Sequence, residues 1–209
     1  VRLSEEIDEA AIIAMHAALL EGQQPAIVGQ WRQEQVWIGG SGAGPHNADF
    51  VPPHHELVPA AMGDLVRFME RDDLPYLPQI ALAHAQFETI HPFPDGNGRT
   101  GRALVQALLR QKGLTRSMTV PISAGLLSDV RSYFSALTAY REGNAGPILT
   151  AFGNAALEAV VNGRKLHSRI EEIDSQWREA DIFPVIPESA LRATLGILDR
   201  TVRRGYPQG

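Results

Sequence analysis

Residues 91 to 102 read HPFPDGNGRTGR, which sets one histidine, one aspartate, two arginines and three glycines immediately before an apolar helical run. Arg99 and Arg102 fall in the first turn of that helix, which is expected to begin near residue 98. There the unpaired N–H groups and the positive end of the macrodipole disfavour a cation. Asp95 is one carboxylate against two guanidiniums and a dipole, so an external anion completes the balance. Gly96, Asn97 and Gly98 supply successive backbone N–H groups in a glycine-rich turn, a concave site that suits phosphate. Arg99 and Arg102 are three residues apart, share part of one helix face, and can both reach oxygens of a polyphosphate. Asp95 would repel that phosphate directly, and a bridging Mg²⁺ removes the conflict. His91 suits the remaining task, since an imidazole can take a proton from an attacking hydroxyl. Pro92, Phe93 and Pro94 stiffen the loop between them, with Phe93 expected as a core plug rather than a ligand contact. Taken singly, each residue has an ordinary explanation: a helix cap, a solvated arginine, a satisfied histidine. Their fixed spacing is what makes the set specific.

Such a loop needs helices to hold it, and the apolar positions recur mostly with helical period. Ile12, Met15, Leu19 and Leu20 mark a first helix, with Glu5, Glu6, Asp8 and Glu9 suited to its N-terminal end. Val58, Met62, Leu65, Val66 and Met69 mark a second after Pro52 and Pro53, with His54, His55 and Glu56 as its polar entrance. Ile80, Ala83, His84 and Phe87 mark a third that ends at the loop, and Leu104, Val105, Leu108 and Leu109 a fourth closed by Gly113. Leu127, Val130, Phe134 and Leu137 give a fifth stripe, and Ile148, Phe152 and Ala155 a sixth. Leu166, Ile170, Ile173 and Trp177 are spaced as on a helix packed along a neighbour. The fold is therefore all-α apart from one segment: EQVWIGG at 34 to 40, a Gly-rich tip, and FVPP at 50 to 53 read as a β-hairpin over 34 to 51. Beyond about residue 180 two prolines interrupt the pattern, and SALRATLGILDRTVRR suggests a further amphipathic helix, the start of a truncated second domain.

Composition narrows the function classes. A chain of 209 residues with 44% hydrophobic content can bury one good core. Its net charge of -5 argues against a dominant nucleic-acid footprint, and Arg192, Arg200, Arg203 and Arg204 read as a solvated face. Without cysteine, neither a disulfide framework nor thiolate chemistry is available. No apolar run approaches membrane-spanning length and no leader opens the chain, so the cytoplasm is the expected compartment.

The loop resembles the signature of the Fic (Fic/Doc) family, His-x-Phe-x-Asp/Glu-Gly-Asn-Gly-Arg-x-x-Arg, whose fixed positions are met by His91, Phe93, Asp95, Gly96, Asn97, Gly98, Arg99 and Arg102. GQWRQEQVWIGG, FVPP, HAQFETI and RSYFSAL are similar to flanking sequence of that family, so the likeness covers roughly residues 10 to 165. The resemblance implies a Fic domain over 1–180, a helical bundle whose hairpin is a flap, with 181–209 as a tail. It implies AMP transfer from ATP to a Ser, Thr or Tyr hydroxyl of a target protein. His91 is then the general base and Asp95 the Mg²⁺ ligand, with Gly96, Asn97 and Gly98 cradling phosphates and Arg99 and Arg102 on the outer ones, Arg102 at the γ-phosphate. Val36, Trp37, Ile38, Gly39 and Gly40 would form the flap edge that docks the target, and Tyr133 would contact adenine.

Three other readings compete. His84, Glu88 and His91 have a spacing that permits a metal hydrolase, which leaves the Gly-Asn-Gly turn and both arginines without a role. Relatives similar in fold remove AMP, transfer the γ-phosphate or use other phosphorylated donors, and the phosphate-transferring ones carry lysine where Gly98 stands. A pure nucleotide-binding module would be expected to lack the base. Regulation is also implied, because many Fic proteins are held off by a helix patterned Ser/Thr-x-x-x-Glu-Gly/Asn. The N-terminal stretch has Asp8 where that glutamate should be, and Ser168 with Glu172 is followed by Ile173. An inhibitory helix is therefore expected upstream or on a separate partner. Self-association is compatible with the sequence, and nucleic acid would be a partner only through a winged-helix domain beyond this chain.

Overall fold

The structure is a computed structural model of the chain and describes residues 6–22, 27–40, 45–115 and 121–179. Seven helices carry the described residues: α1 (Glu9–Leu20), α2 (Val58–Glu70), α3 (Tyr76–Ile90), α4 (Asn97–Gln111), α5 (Ile122–Ser128), α6 (Val130–Arg141) and α7 (Gly146–Glu179). Asp8 starts α1 by accepting the Ala11 N–H at 2.7 Å, as a short acidic side chain at an N-cap does.

Everything is arranged around α3. Nine of its 15 residues are buried, and it packs against α2, α4, α6 and α7. A helix enclosed on several sides must also satisfy its polar side chains inside. Gln79 does so on its donor side: Nε2 donates to the carbonyls of Phe68, Met69 and Arg71 and so closes the C-terminal end of α2, while its Oε1 is buried without a partner among the described residues. His84 sits at zero exposure with Nδ1 at 3.2 Å from the Gly101 carbonyl and Nε2 at 2.8 Å from the Tyr133 hydroxyl. It is the satisfied core histidine that its place in the apolar stripe suggests.

One expectation is met only in part, and two need correction. The 34 to 51 segment forms no strand among the described residues; it closes on a single antiparallel bridge between Ile38 and Phe50. Gly39 and Gly40 turn the chain away with φ of +74° and +78° on one side. On the other, Pro52 and Pro53 have no N–H to extend a ladder, and the Gln35 amide takes the Pro52 carbonyl instead at 2.8 Å. The fifth stripe is broken at Asp129, whose side chain caps α6 by accepting the Ser132 N–H. Leu127, Val130 and Phe134 consequently face outward at 42, 44 and 53% exposure, and Ile122, Leu126, Tyr133, Ala136 and Leu137 are buried in their place. The sixth stripe and the last one lie on one 34-residue helix. Along its far half Leu166, Ile173 and Trp177 are 61, 37 and 36% exposed, so no described neighbour covers them. The tail expected over 181–209 lies outside the described residues.

The α3–α4 contact is closest at Gly101. A Cβ there would stand 2.6 Å from Glu88 Oε1, 3.1 Å from Phe87 Cδ1 and 3.3 Å from His84 Cε1. Gly101→Ala is therefore expected to destabilise the fold by about 1–3 kcal/mol, read as a lowered urea midpoint at unchanged slope; an unchanged midpoint would mean that the two helices have slack to part.

Candidate active site

The 91–96 loop joins α3 to α4 and is anchored from within. Phe93 is fully buried, its ring stacked on His16 with centroids 3.7 Å apart and an interplanar angle of 2°, and tilted against Trp31 and Phe87. The core-plug expectation holds. Asn97 closes the loop on itself: its Oδ1 accepts the Phe93 N–H at 2.9 Å and its Nδ2 donates to the Phe93 carbonyl at 2.8 Å. Its side chain is thus spent on the loop, and only its backbone N–H is left for a ligand.

Gly96 caps α4 in the left-handed region, φ 80° and ψ 5°. A Cβ there would also meet Leu20 Cδ1 at 2.9 Å, so glycine is required for conformation and for space. The helix begins at Asn97, one residue from the expected start. The N–H groups of Asn97, Gly98 and Arg99 consequently lack intrahelical acceptors and point out of the helix at the positive end of its dipole. At Gly98 a Cβ would lie 3.2 Å from Arg102 Nη1, so a side chain there would press on that guanidinium.

Two residues that sequence reasoning passed over hold this loop in place. His16 Nδ1 accepts the Gly29 N–H at 3.1 Å, which leaves Nε2 as the protonated nitrogen that donates to the Asp95 carbonyl at 3.0 Å. Burial lowers the pKa of this imidazole, in keeping with the neutral tautomer. Arg32, 3% exposed, donates from Nε to the His91 carbonyl at 2.9 Å. The only sequence signal was composition: a histidine inside an apolar helical stripe and an arginine between a tryptophan and a β-prone run.

His91 ends α3 with φ 50° and ψ 62°. It is the non-glycine residue of positive φ among the described residues, a conformation that costs an L-residue about 1–2 kcal/mol. Its Nδ1 is buried without a well-formed hydrogen bond to any described residue, so Nε2 is the nitrogen left to exchange a proton. Burial pushes its pKa down to about 4, with Arg32 and Arg141 acting in the same direction and the Glu88 carbonyl and Asp95 opposing. The imidazole is therefore neutral at pH 7. Glu88, in the last turn of α3, moves the other way, to about 7, because burial outweighs the pull of Arg102 and Arg141.

Asp95 lies half-exposed at the mouth of the turn, with Oδ2 at 3.2 Å from Arg99 Nη2. Arg102 has no carboxylate within 4 Å among the described residues, and its charge is felt by Glu88, His84 and Tyr133. The structure therefore brings His91, Asp95, Gly96, Asn97, Gly98, Arg99 and Arg102 together. It does not gather the hydrolase set, because both nitrogens of His84 are engaged with Gly101 and Tyr133. Tyr133, expected at adenine, is 6% exposed with its hydroxyl on His84, and what the structure shows of it is a place in the core. Trp37 is 40% exposed and Ile38 half-buried on the bridge.

Comparison with known proteins agrees with this geometry. The Fic/DOC family model matches residues 6–109. A probable protein adenylyltransferase of Aquifex aeolicus (strain VF5) is 27% identical over 195 residues, covering 92% of this chain and 53% of that protein. The protein adenylyltransferase Fic of Nematostella vectensis is 34% identical over 116 residues, covering 54% of this chain and 25% of that protein. The crystal structure of a Fic family protein from Desulfovibrio desulfuricans G20 superposes with a TM-score of 0.64 at 23% identity, over 95% of this chain and 60% of that one. The chain belongs to the Fic/DOC family. It spans about half the length of the Aquifex relative and a quarter of the Nematostella one.

The lowered pKa has a sign that can be measured. A free histidine near 6.5 loses its basic form as pH falls from 8 to 6, whereas His91 should keep it down to about 4. The His91 ring signal followed by NMR from pH 8 to 5 is expected to stay in its neutral position; a midpoint near 6.5 would place the imidazole in water rather than against the core.

Proposed function

We propose that the chain transfers AMP from ATP to a Ser, Thr or Tyr hydroxyl of a target protein. The observation that carries this reading is a neutral imidazole at the end of α3, one six-residue loop away from the start of α4, where the helix N-terminus and the Arg99 and Arg102 side chains lie. The names of the adenylyltransferase relatives support the reaction class.

In this reading the phosphates lie against the N–H groups of Asn97, Gly98 and Arg99, and Arg102 takes the γ-phosphate. The target hydroxyl oxygen attacks the α-phosphorus, the bond from that phosphorus to the bridging oxygen breaks, and pyrophosphate leaves. The hydroxyl proton passes to His91 Nε2. Catalysis of this kind is mostly positioning and electrostatic stabilisation, which the fixed loop supplies. Val36, Trp37 and Ile38, running into the turn at Gly39 and Gly40, would present the edge that docks the target backbone by β-addition.

Mg²⁺ fits the residues present. The donor is a single half-exposed carboxylate, Asp95, at the rim of a cationic anion site, and Mg²⁺ is commonly held by one or two carboxylates together with substrate phosphates. Bound there it would offset charge on the phosphoryl oxygens. A lysine at position 98, by contrast, would set a second cation against Arg102.

ATP labelled separately at the α- and γ-phosphates tests the reading. Retention of the α-label on protein is expected; retention of the γ-label would indicate phosphotransfer instead. His91→Ala should lower α-label transfer by roughly 10²–10⁴-fold and leave the calorimetric Mg-ATP affinity nearly unchanged; parallel loss of both would make His91 structural. Arg102→Ala should weaken ATP more than AMP, and equal weakening of the two nucleotides would remove it from the γ-phosphate. Asp95→Ala should abolish the response of transfer to Mg²⁺.

A further inference from the structure

Arg32 is a buried cation with no carboxylate partner within 4 Å among the described residues. Its guanidinium donates to backbone carbonyls alone: Nε to His91 at 2.9 Å, Nη1 to Glu34 at 3.1 Å, and Nη2 to Ile90 at 3.4 Å and to Pro53. Its own N–H donates to the Pro92 carbonyl at 2.9 Å. A buried unpaired charge is costly, and here the compensation comes from the negative end of α3 and from a fork whose planar shape divides its donors between two places. One place is the carbonyl pair on either side of His91. The other is the two roots of the loop that carries the Ile38–Phe50 bridge, Glu34 on the way in and Pro53 on the way out.

We propose that Arg32 is a positioning residue that couples the 36–40 docking edge to the base, because one rigid guanidinium sets both the roots of that edge and the left-handed backbone of His91. A target chain that pulls on the edge is then felt at the imidazole, and a poorly seated edge leaves the base misaligned. A second tie runs in parallel. Arg141 lies over the Phe50 ring at 3.7 Å and reaches the Glu88 carbonyl at 3.5 Å, so the exit side of the same loop is held to the last turn of α3. The charged and titratable groups facing His91 are Arg32, Arg141 and Asp95, with the Glu88 carbonyl beside the ring. The activity arm of the test rests on the AMP-transfer reading; the spectroscopic arm does not.

The test uses the whole chain with Arg32→Lys and Arg32→Gln. Lysine keeps the charge but cannot span both carbonyl groups. Arg32→Lys is expected to fold, to bind Mg-ATP within about twofold of the parent, and to label itself from α-labelled ATP at least about tenfold more slowly. In Arg32→Gln the missing charge should also raise the His91 pKa, read from its ring signals. Self-labelling by Arg32→Lys at the parental rate, or nucleotide affinity falling in step with that rate, would overturn the proposal. If the parent shows no α-label transfer, the AMP-transfer reading fails, and the coupling is judged on resonances: in Arg32→Lys both the His91 ring and the Trp37 indole should shift while the Ile148 methyls stay. A shift at one site without the other would sink the coupling. Should neither variant fold, exchange of the Arg32 Nε–H in the parent decides, since slow exchange supports the clamp and exchange as fast as at exposed Arg110 rejects it.

Discussion

The burial of one phenylalanine inside a polar loop is the constraint on which the site depends. Phe93 has no exposure, so the six residues between α3 and α4 cannot move as a surface loop does without withdrawing an aromatic ring from the core. Removing a ring of this size from a core typically costs about 3–5 kcal/mol, comparable to a sizeable part of the stability of a small domain. Everything polar is arranged around that anchor. The flanking backbone is fixed by Asn97 from within, by His16 from α1, and by Arg32 from the segment that follows. The glycine at 96 lets the chain turn close to its neighbours, and the N-terminal end of α4 is left facing outward.

Charge at the site runs against the charge of the chain. The whole sequence carries -5, yet Arg32, Arg99, Arg102 and Arg141 converge on the loop while Glu88 is pushed up to about 7 by burial and so carries only part of a negative charge. An acidic protein with a locally cationic mouth repels polyanions in general and admits a small anion at one place. The depressed His91 pKa belongs to the same arrangement, because burial and the neighbouring guanidiniums both disfavour its charged form.

What the sequence revealed was the chemistry confined to one stretch. Twelve consecutive residues contained base, carboxylate, turn and arginines, and helical period located the helices that hold them. Features that depended on distant pairing were less legible. The hairpin suggested by the β-propensity of Val36, Trp37 and Ile38 comes down, among the described residues, to the Ile38–Phe50 bridge, since propensity says nothing of whether partner N–H groups exist, and Pro52 and Pro53 have none. Leu127, Val130 and Phe134 looked like a buried stripe because a continuous helix was assumed. The cap at Asp129 resets the helical phase, and a different set of side chains turns inward. Arg32 and His16 were illegible for another reason: each is polar, isolated in sequence, and satisfied by main-chain groups that no side-chain pattern announces.

The amide pair between Asn97 and Phe93 also bears on heat rather than shape. A loop that must be ordered when its ligand arrives loses backbone entropy at that moment, about 1–2 kcal/mol for each residue fixed, and the loss appears as weakened affinity. Here the ordering has already taken place during folding, since both donor and acceptor of the Phe93 peptide are committed to one side chain. An anion seated at the start of α4 should consequently bind with a small unfavourable conformational entropy, and cutting the Asn97 amide would show itself in the entropy of association before it showed in the melting temperature.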